Sequence, residues 1–351
     1  MHGSSLVGEF INKSNLINTT FNCRYINLGT SKSIDEIGKN GFQKWFLYVS
    51  IILRTIKQLI AFKPNLVYLA MTAKGIAFYK DMVMVFLVKL FGIQLVIHFH
   101  NKGVSINQNK TLDNFLYQRV FKNTKVILLS KHLYSDIKKY VKEENVYYCP
   151  NGIPELSINK NNATIKNDTV QLLFLSNLME SKGVYVLLDA LKILKSKKIK
   201  FTCNFVGGIG DITEEAYNNK VRSLQLQDCV YYLGKKFNQE KTTIFNNSDI
   251  FVHPTFSDCF PLVLLEASLF KLPMVSAYEG AIPEIIDDGI NGFLVPKNDV
   301  TKLAEVLKLL INDESLRMKF GDAAYKKYKN EYTLSEFENR LAGILQKIKA
   351  N

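Results

Sequence analysis

The chain has 351 residues, a net charge of +13 and five scattered cysteines, Cys23, Cys149, Cys203, Cys229 and Cys259, with no C-x-x-C pair among them. That length suits two domains, each able to bury its own core, while the cysteine spacing excludes a disulfide framework or a zinc site and reads as reduced, cytosolic thiol. Residues 1–155 hold 20 Lys+Arg against 9 Asp+Glu and residues 156–351 hold 25 against 23, so nearly all the excess charge lies in the first half. It points to an anionic partner such as a lipid surface or phosphorylated acceptor, the alternative being a solvated, Lys-rich surface. The lack of a nucleic-acid module or a basic run with interleaved aromatics argues against nucleic acid.

In chain order, Met1-His2-Gly3-Ser4-Ser5 lacks the charged and then apolar pattern of a secretory leader. Short β-branched runs predict strands at Cys23–Asn27, 65–70, 93–98, 125–129 and 145–149, separated by helices near 42–61, 75–91, 110–121 and 131–141. Such alternation predicts a parallel sheet with helices on both faces. The helix near 42–61 has a narrow polar stripe and a wide apolar face. It is ordinarily covered by a sheet and neighbouring helices; its functional reading is an interfacial helix, with Trp45, Phe46 and Tyr48 among headgroups and Lys44, Arg54 and Lys57 facing anionic lipid. The longest unbroken apolar run, Met82 to Val88, falls far short of the ~20 residues that cross a bilayer. His98 and His100 face the same way at a strand end. A metal site there would need a third ligand that no C-x-x-C or H-x3-H supplies, and the chain contains no D-x-D.

Residues 156–168 are polar, Asn/Lys-rich and aperiodic, and read as an inter-domain linker. Beyond them strands are predicted near 170–176, 201–206, 229–233, 249–253, 273–277 and 292–295, interleaved with helices, and helices near 301–311, 313–330 and 333–349 finish the chain. Lys182-Gly183 follows the first of these strands. Gly207, Gly208 and Gly210 follow the second in a G-G-x-G spacing, which is a weak dinucleotide signal. Asp258-Cys259-Phe260-Pro261-Leu262-Val263-Leu264-Leu265-Glu266 places two carboxylates eight positions apart across a turn and a helix start. Pro261 suits the first helical position, and the free N–H groups at Phe260 to Val263 would favour an anion such as a diphosphate. Glu266 lies about 7–8 Å further along the axis, near where the ribose of a bound nucleotide would fall, and Asp258 lies on the side where its sugar would hang.

These motifs, with Glu279-Gly280-Ala281-Ile282-Pro283-Glu284 and Asn291-Gly292-Phe293-Leu294-Val295-Pro296 after them, resemble the donor-binding half of the family-4 (GT4-type) retaining glycosyltransferases, the glycosyl transferases group 1. The spaced acids correspond to the family's E-x7-E signature, with Asp258 in place of the first Glu. The resemblance is strong over residues 145–300 and weaker before them. It implies the α/β GT-B fold, two Rossmann-like doubly wound parallel-sheet domains facing a cleft: 1–155 for the acceptor, 156–168 as linker, 169–332 for the nucleotide-sugar donor, and a helix in 333–351 crossing back onto the first domain. Family members usually begin with a strand and a glycine-rich loop. Met1 to Gly8 looks like the tail of that loop, so the first strand of the N-terminal domain is read as missing through a truncated frame or misplaced start.

The resemblance further implies a retaining, metal-independent hexosyltransferase. It would use a UDP- or GDP-linked sugar as substrate with no cofactor, and act on a glycan or polyprenyl-linked acceptor in capsule, O-antigen or exopolysaccharide biosynthesis. Its place would be the cytoplasm, peripherally on the inner face of the plasma membrane. The implied catalytic residues are His100 (His98 as alternate), Asp258 and Lys182. Glu266, Asn177, Gly207, Gly208, Phe260, Pro261, Leu262 and Val263 would bind the donor, and Gly3, Asn101 and Lys102 would lie on the acceptor side. Where Asn177 stands the family commonly has Arg, so the diphosphate is either held more weakly here or its second charge comes from elsewhere, with Lys235 and Lys236 as the candidate substitutes. The rival readings are a non-catalytic scaffold or truncated inactive homologue, and a GT-B nucleotide-sugar epimerase that acts without an acceptor.

Overall fold

The computed structural model describes residues 3–29, 42–155 and 169–350. Met1, the segment 156–168 read as a linker, and the side chain of Lys44 lie outside the described residues. The chain divides into two units, Met1–Asn151 with Leu334–Asn351, and Gly152–Thr333. The divisions therefore fall at 151/152 and 333/334, against the expected 155/156 and 332/333.

The first unit begins with helices α1 (Gly3–Lys13), α2 (Asn15–Thr20) and α3 (Phe42–Phe62), then alternates β1 (Leu66–Met71), α4 (Gly75–Leu90), β2 (Gln94–Phe99), α5 (Val104–Asn107), α6 (Thr111–Phe121), β3 (Lys125–Leu128) and β4 (Val146–Tyr148). The four strands are parallel in the order β1-β2-β3-β4. One face is covered by Val7, Ile11 and Ile17 with Phe337, Leu341 and Ile348 from the chain's final helix. Buried residues of α4 and α6, among them Phe78, Val85, Tyr117 and Phe121, belong to the same unit.

Four expectations need correction here. Cys23–Asn27 pairs with no strand. Phe21 and Cys23 instead pack against the apolar cluster of α1, α2 and the final helix, so the alternation that suggested a strand reflects side-chain burial without a ladder. Gly3 opens α1 and is not the tail of a glycine loop. Residues 131–141 form a 3-10 helix, Lys131–Asp136, capped by Ser130 Oγ accepting from the His132 N–H at 3.1 Å, and then a turn. Finally, α3 is not covered on most of its surface: only 17% of Trp45–Phe62 is buried, and that window is long and apolar enough to cross a membrane by length and composition. The unbroken-run criterion missed it because Ser50, Arg54, Lys57 and Gln58 interrupt the sequence.

The second unit runs β5 (Val170–Leu175), α7 (Val184–Ser196), β6 (Phe201–Val206), α8 (Glu214–Ser223), β7 (Val230–Tyr232), α9 (Asn238–Asn246), β8 (Ile250–His253), α10 (Leu262–Leu269), β9 (Met274–Ala277), α11 (Ile282–Ile285), β10 (Gly292–Val295), α12 (Val300–Asn312) and α13 (Glu314–Glu331); α14 (Leu334–Ala350) then returns to the first unit. Its strands are parallel in the order β10-β9-β8-β5-β6-β7. Leu172, Phe174, Cys203, Phe205, Ile250 and Val252 point into one core with α7 and α12. At about 1.5–3 kcal/mol for each fully buried large apolar side chain, a one-residue slip that turned such a set outward would be prohibitive. Because β5 lies between β6 and β8, the strand order reverses at the β5/β8 pair. Ligands of open α/β sheets bind beyond the carboxyl ends of strands at such a reversal.

Candidate functional site

The loops that follow β5 and β8 meet at this reversal. After β5, the Ser176 N–H donates to Val206 O (2.9 Å), the Leu178 N–H to Gly208 O (2.7 Å), and the Gly208 N–H to Asn177 Oδ1 (3.1 Å). The glycines permit this contact between loops: a Cβ on Gly207 would lie 1.9 Å from Ser176 O, and one on Gly208 would lie 2.3 Å from Lys235 Cε. The Lys235 stem thus lies across Gly208. Its Nζ and Asn177 Oδ1 fall within 3.3 and 3.1 Å of the same point, which puts the cation beside Asn177. Lys236 instead reaches Glu240 Oε1 at 2.8 Å.

Glu180–Lys182 forms a short 3-10 turn ended by Gly183, whose φ of +80° leads into α7. A Cβ at Gly183 would strike Pro254 O at 2.2 Å, so only glycine allows the β5 and β8 loops to lie this close. Two bonds to Ser181 O stitch the loops together, one from the Phe256 N–H (3.0 Å) and one from Thr255 Oγ1 (3.1 Å). Lys182 Nζ then reaches Ser257 O at 3.0 Å and Asp258 Oδ2 at 2.6 Å.

Asp258 is held on every side. His253 Nε2 is 3.2 Å from the same Oδ2, Oδ1 accepts the Cys259 N–H at 3.1 Å, and the Asp258 N–H donates to Glu279 Oε1 at 3.1 Å. Glu279, buried, is in turn paired with Lys297. Gly280 (φ +53°) brings this turn against Asp258, where a Cβ would meet Asp258 O at 2.4 Å. Burial of the Asp258 carboxyl works to raise its pKa, yet the His253 hydrogen bond and the Lys182 charge hold it down at about 2. The carboxylate is ionised.

Helix α10 starts directly afterwards. Pro261 is its N-cap and Leu262 its first residue, one position later than expected, and no side chain caps it. Phe260 is buried edge-on to Tyr332, and Leu262 and Val263 are half-buried. One turn on, Glu266 accepts from Lys241 Nζ through both carboxylate oxygens at 2.6 Å. Lys241 stands on α9, and no spacing in the sequence links it to Glu266.

In the first unit, β2 carries His98 with its ring wholly buried, Nδ1 2.7 Å from Tyr68 Oη, and His100 lies just past the strand, half-buried as a residue but with its ring Nδ1 buried. The rings lie 4.1 Å apart. Burial, with the neighbouring His100, keeps the His98 pKa well below the imidazole range, and burial lowers that of His100 to about 4, so both rings are neutral at pH 7. Asn101 Oδ1 accepts the Ala73 N–H at 2.8 Å and so fastens the turn after β1, while Lys102 is half-buried beside it. Among the described residues, no group of three His, Cys, Asp or Glu side chains could hold a metal ion.

The structure therefore brings together Lys182, Asp258 and the start of α10, sets Asn177, Gly207, Gly208 and Lys235 along the β5–β6 side, and places Glu266 one turn into α10. Four participants were given no role from sequence: Lys241 and Lys297, and His253 and Glu279, which stood only as members of a strand and of a motif. His253, ending a strand five positions before Asp258, could have been suspected; the lysines had no signal.

Residues 157–327 match the family described as Glycosyl transferases group 1. Among curated relatives, the chain is 27% identical over 269 residues to the amylovoran biosynthesis glycosyltransferase AmsK of Erwinia amylovora, with 74% of this chain and 65% of AmsK covered; it thus spans slightly under two thirds of that relative. Among solved structures it is similar to HepE of Anabaena in complex with UDP (TM-score 0.71, 20% identity, 85% of this chain and 82% of HepE). It is likewise similar to sucrose-phosphate synthase from Thermosynechococcus elongatus (TM-score 0.72, 15% identity, 93% and 84%). These likenesses give the fold, GT-B, with a parallel α/β sheet in each unit.

Proposed function

Since residues 157–327 of this chain match the glycosyl transferases group 1, we propose that it transfers a hexose, with retention, from a nucleotide-diphosphate sugar to a hydroxyl of a glycan or lipid-linked glycan. The observation that carries this reading is the Lys182–Asp258 pair beside the uncapped start of α10 at the strand-order reversal. A cation, free N–H groups and an ionised acid within one turn suit a diphosphate with a sugar attached.

On donor binding Lys182 turns from Asp258 to the diphosphate, which the first N–H groups of α10 also hold, and Lys235 adds a second charge beside Asn177. Asp258 then accepts hydrogen bonds from sugar hydroxyls. Glu266 accepts from the ribose hydroxyls in exchange for Lys241. The acceptor oxygen bonds to the anomeric carbon on the face the diphosphate leaves. The carbon–phosphate-oxygen bond breaks with its electron pair going to the nucleotide, and the departing phosphate takes the acceptor's proton. Stabilising charge on that leaving group is worth several kcal/mol at each well-placed cation. By resemblance alone, His100 is assigned to the transferred sugar. No step calls for a metal.

HepE, crystallised with UDP and with UDP-glucose, supports a UDP-linked donor, and AmsK, named for amylovoran biosynthesis, supports a polysaccharide acceptor. An anionic membrane on the cytoplasmic side fits α3. That helix buries Ile51, Thr55 and Leu59 on one stripe and leaves Trp45, Leu53 and Ile60 exposed on a second, with Arg54 and Lys57 exposed alongside. Tyr48 belongs to the packed side, its hydroxyl donating to Lys80 O at 2.7 Å. The test is release of UDP or GDP from a panel of sugar nucleotides with polyprenyl-linked and free glycans, with products read by mass spectrometry; no acceptor glycosylated from any donor would overturn the proposal.

A further inference from the structure

His253 is the least accessible charged-group partner in the site. Its ring is enclosed between Phe174 and Phe251, with centroids 6.3 Å from each, and its Nδ1 is buried without a hydrogen-bond partner. That arrangement selects one tautomer. A proton on Nδ1 would leave the Nε2 lone pair facing the Asp258 carboxylate, a repulsive contact, and would also strand a buried N–H. With the proton on Nε2, the ring donates to Asp258 Oδ2 and only a weakly demanding acceptor is left unpaired.

Asp258 Oδ2 thus has two donors of different character. Lys182 is a long side chain with several rotatable bonds, reaching in from another loop; the His253 ring cannot move without opening the core. The other charged groups at this carboxylate are Glu279, which takes the Asp258 N–H, and Lys297, which pairs with Glu279 and not with Asp258. When Lys182 leaves for a diphosphate, Asp258 is left as a largely buried anion, and among the described residues His253 is its remaining side-chain donor at Oδ2. Such a group either takes up a proton or swings out of place.

We propose that His253 is a positioning residue, holding the Asp258 carboxylate ionised and correctly turned toward the sugar while Lys182 is engaged by the donor diphosphate. This rests on the assignment of Lys182 and Asp258 made above. It gives the pair a division of labour: the mobile cation serves the leaving group, and the fixed imidazole keeps the acid ready once that cation has gone.

The experiment compares wild type, His253→Phe, which fills the same space without a donor, and His253→Gln, whose amide N–H can replace Nε2–H. UDP release from UDP-glucose is followed against pH, and UDP affinity is measured by calorimetry. His253→Phe is expected to lose about 10- to 100-fold in kcat, the range for a lost hydrogen bond to a charged group, with UDP affinity changed less than about twofold. It should also gain an acid limb in kcat at or above the usual carboxylate range near pH 4, where wild type is flat, and His253→Gln should restore both rate and profile. Wild-type kcat and pH profile in His253→Phe overturn the inference, as do parallel losses of kcat and UDP affinity in both variants. Should His253→Phe fail to fold, the carboxyl carbon-13 signal of Asp258 in UDP-bound wild type decides. A group still ionised at the lowest pH the fold tolerates supports the proposal, and one titrating in the ordinary range overturns it. Wild type that binds neither UDP nor GDP removes the premise itself, an outcome distinct from an active enzyme indifferent to His253.

Discussion

Lys182 Nζ and Asp258 Oδ2 lie 2.6 Å apart although 76 positions separate them in the chain. Each hangs from the loop after one of the two strands, β5 and β8, at which the sheet order reverses. The contact joins the cation assigned to the donor diphosphate to the acid assigned to its sugar, and in the ligand-free protein each satisfies the other.

Lys182→Ala should leave Asp258 with His253 and Glu279 as neighbours. A partly exposed pair of this kind contributes about 1–2 kcal/mol after solvent screening, so the variant should stay folded by thermal melt. Donor turnover should fall by at least about 100-fold, as expected on removing a cation that stabilises leaving-group charge. Turnover within a fewfold of wild type would place the diphosphate elsewhere.

Lys235→Ala tests the substitution for charge beside Asn177. A loss of about 3- to 10-fold in UDP affinity is expected from one exposed cation on phosphate, with Lys236→Ala near neutral because Lys236 faces Glu240. Equal effects of the two lysines in calorimetry would contradict the placement of Lys235 over Gly208.

Glu266→Ala should raise the KM for donor and weaken nucleoside binding, since the ribose loses its acceptor. Lys241→Met, by contrast, removes the competitor that now occupies both Glu266 oxygens, and is expected to tighten UDP binding or leave it unchanged. A loss in Lys241→Met as large as that in Glu266→Ala would show that Lys241 itself carries the nucleotide.

His98 on β2 and His100 just past it set a pH dependence of stability. A folded-state pKa lowered to about 4 at His100, and lowered well below the imidazole range at His98 by burial, means that the unfolded chain binds more protons below the unfolded imidazole value. Stability therefore falls as pH drops from about 6.5, the unfolded imidazole value, toward 4. His98→Gln should flatten that slope in chemical-denaturation midpoints taken across the interval; an unchanged slope would mean that His98 is protonated in the native state.

How much of this was legible beforehand follows from what each feature rests on. Strands buried on both faces, such as Leu172–Phe174 and Val96–Ile97, announce themselves as β-branched and apolar runs, and GT-B architecture came from the order of the motifs. Asp258, Glu266 and Lys182 stood out because local spacing marks a helix start and a turn. What spacing does not encode is which cation meets which acid: Lys241 comes from a neighbouring helix, His253 from a strand end, and Lys297 reaches Glu279 from beyond β10. Cys23–Asn27 failed as a strand because alternation records only which side chains are buried. The openness of α3 was hidden in the same way, since apolar residues look alike whether a core covers them or not.

The most direct test of the central assignment is a three-way measurement of UDP affinity and of sugar transfer, on wild type, Lys182→Ala and Asp258→Ala. The expected result is that Lys182→Ala weakens UDP binding and abolishes transfer, while Asp258→Ala abolishes transfer yet binds UDP nearly as wild type does. Asp258→Ala losing UDP affinity as fully as Lys182→Ala would contradict the division of the pair between sugar and diphosphate, and both variants transferring like wild type would remove this pair from the reaction altogether.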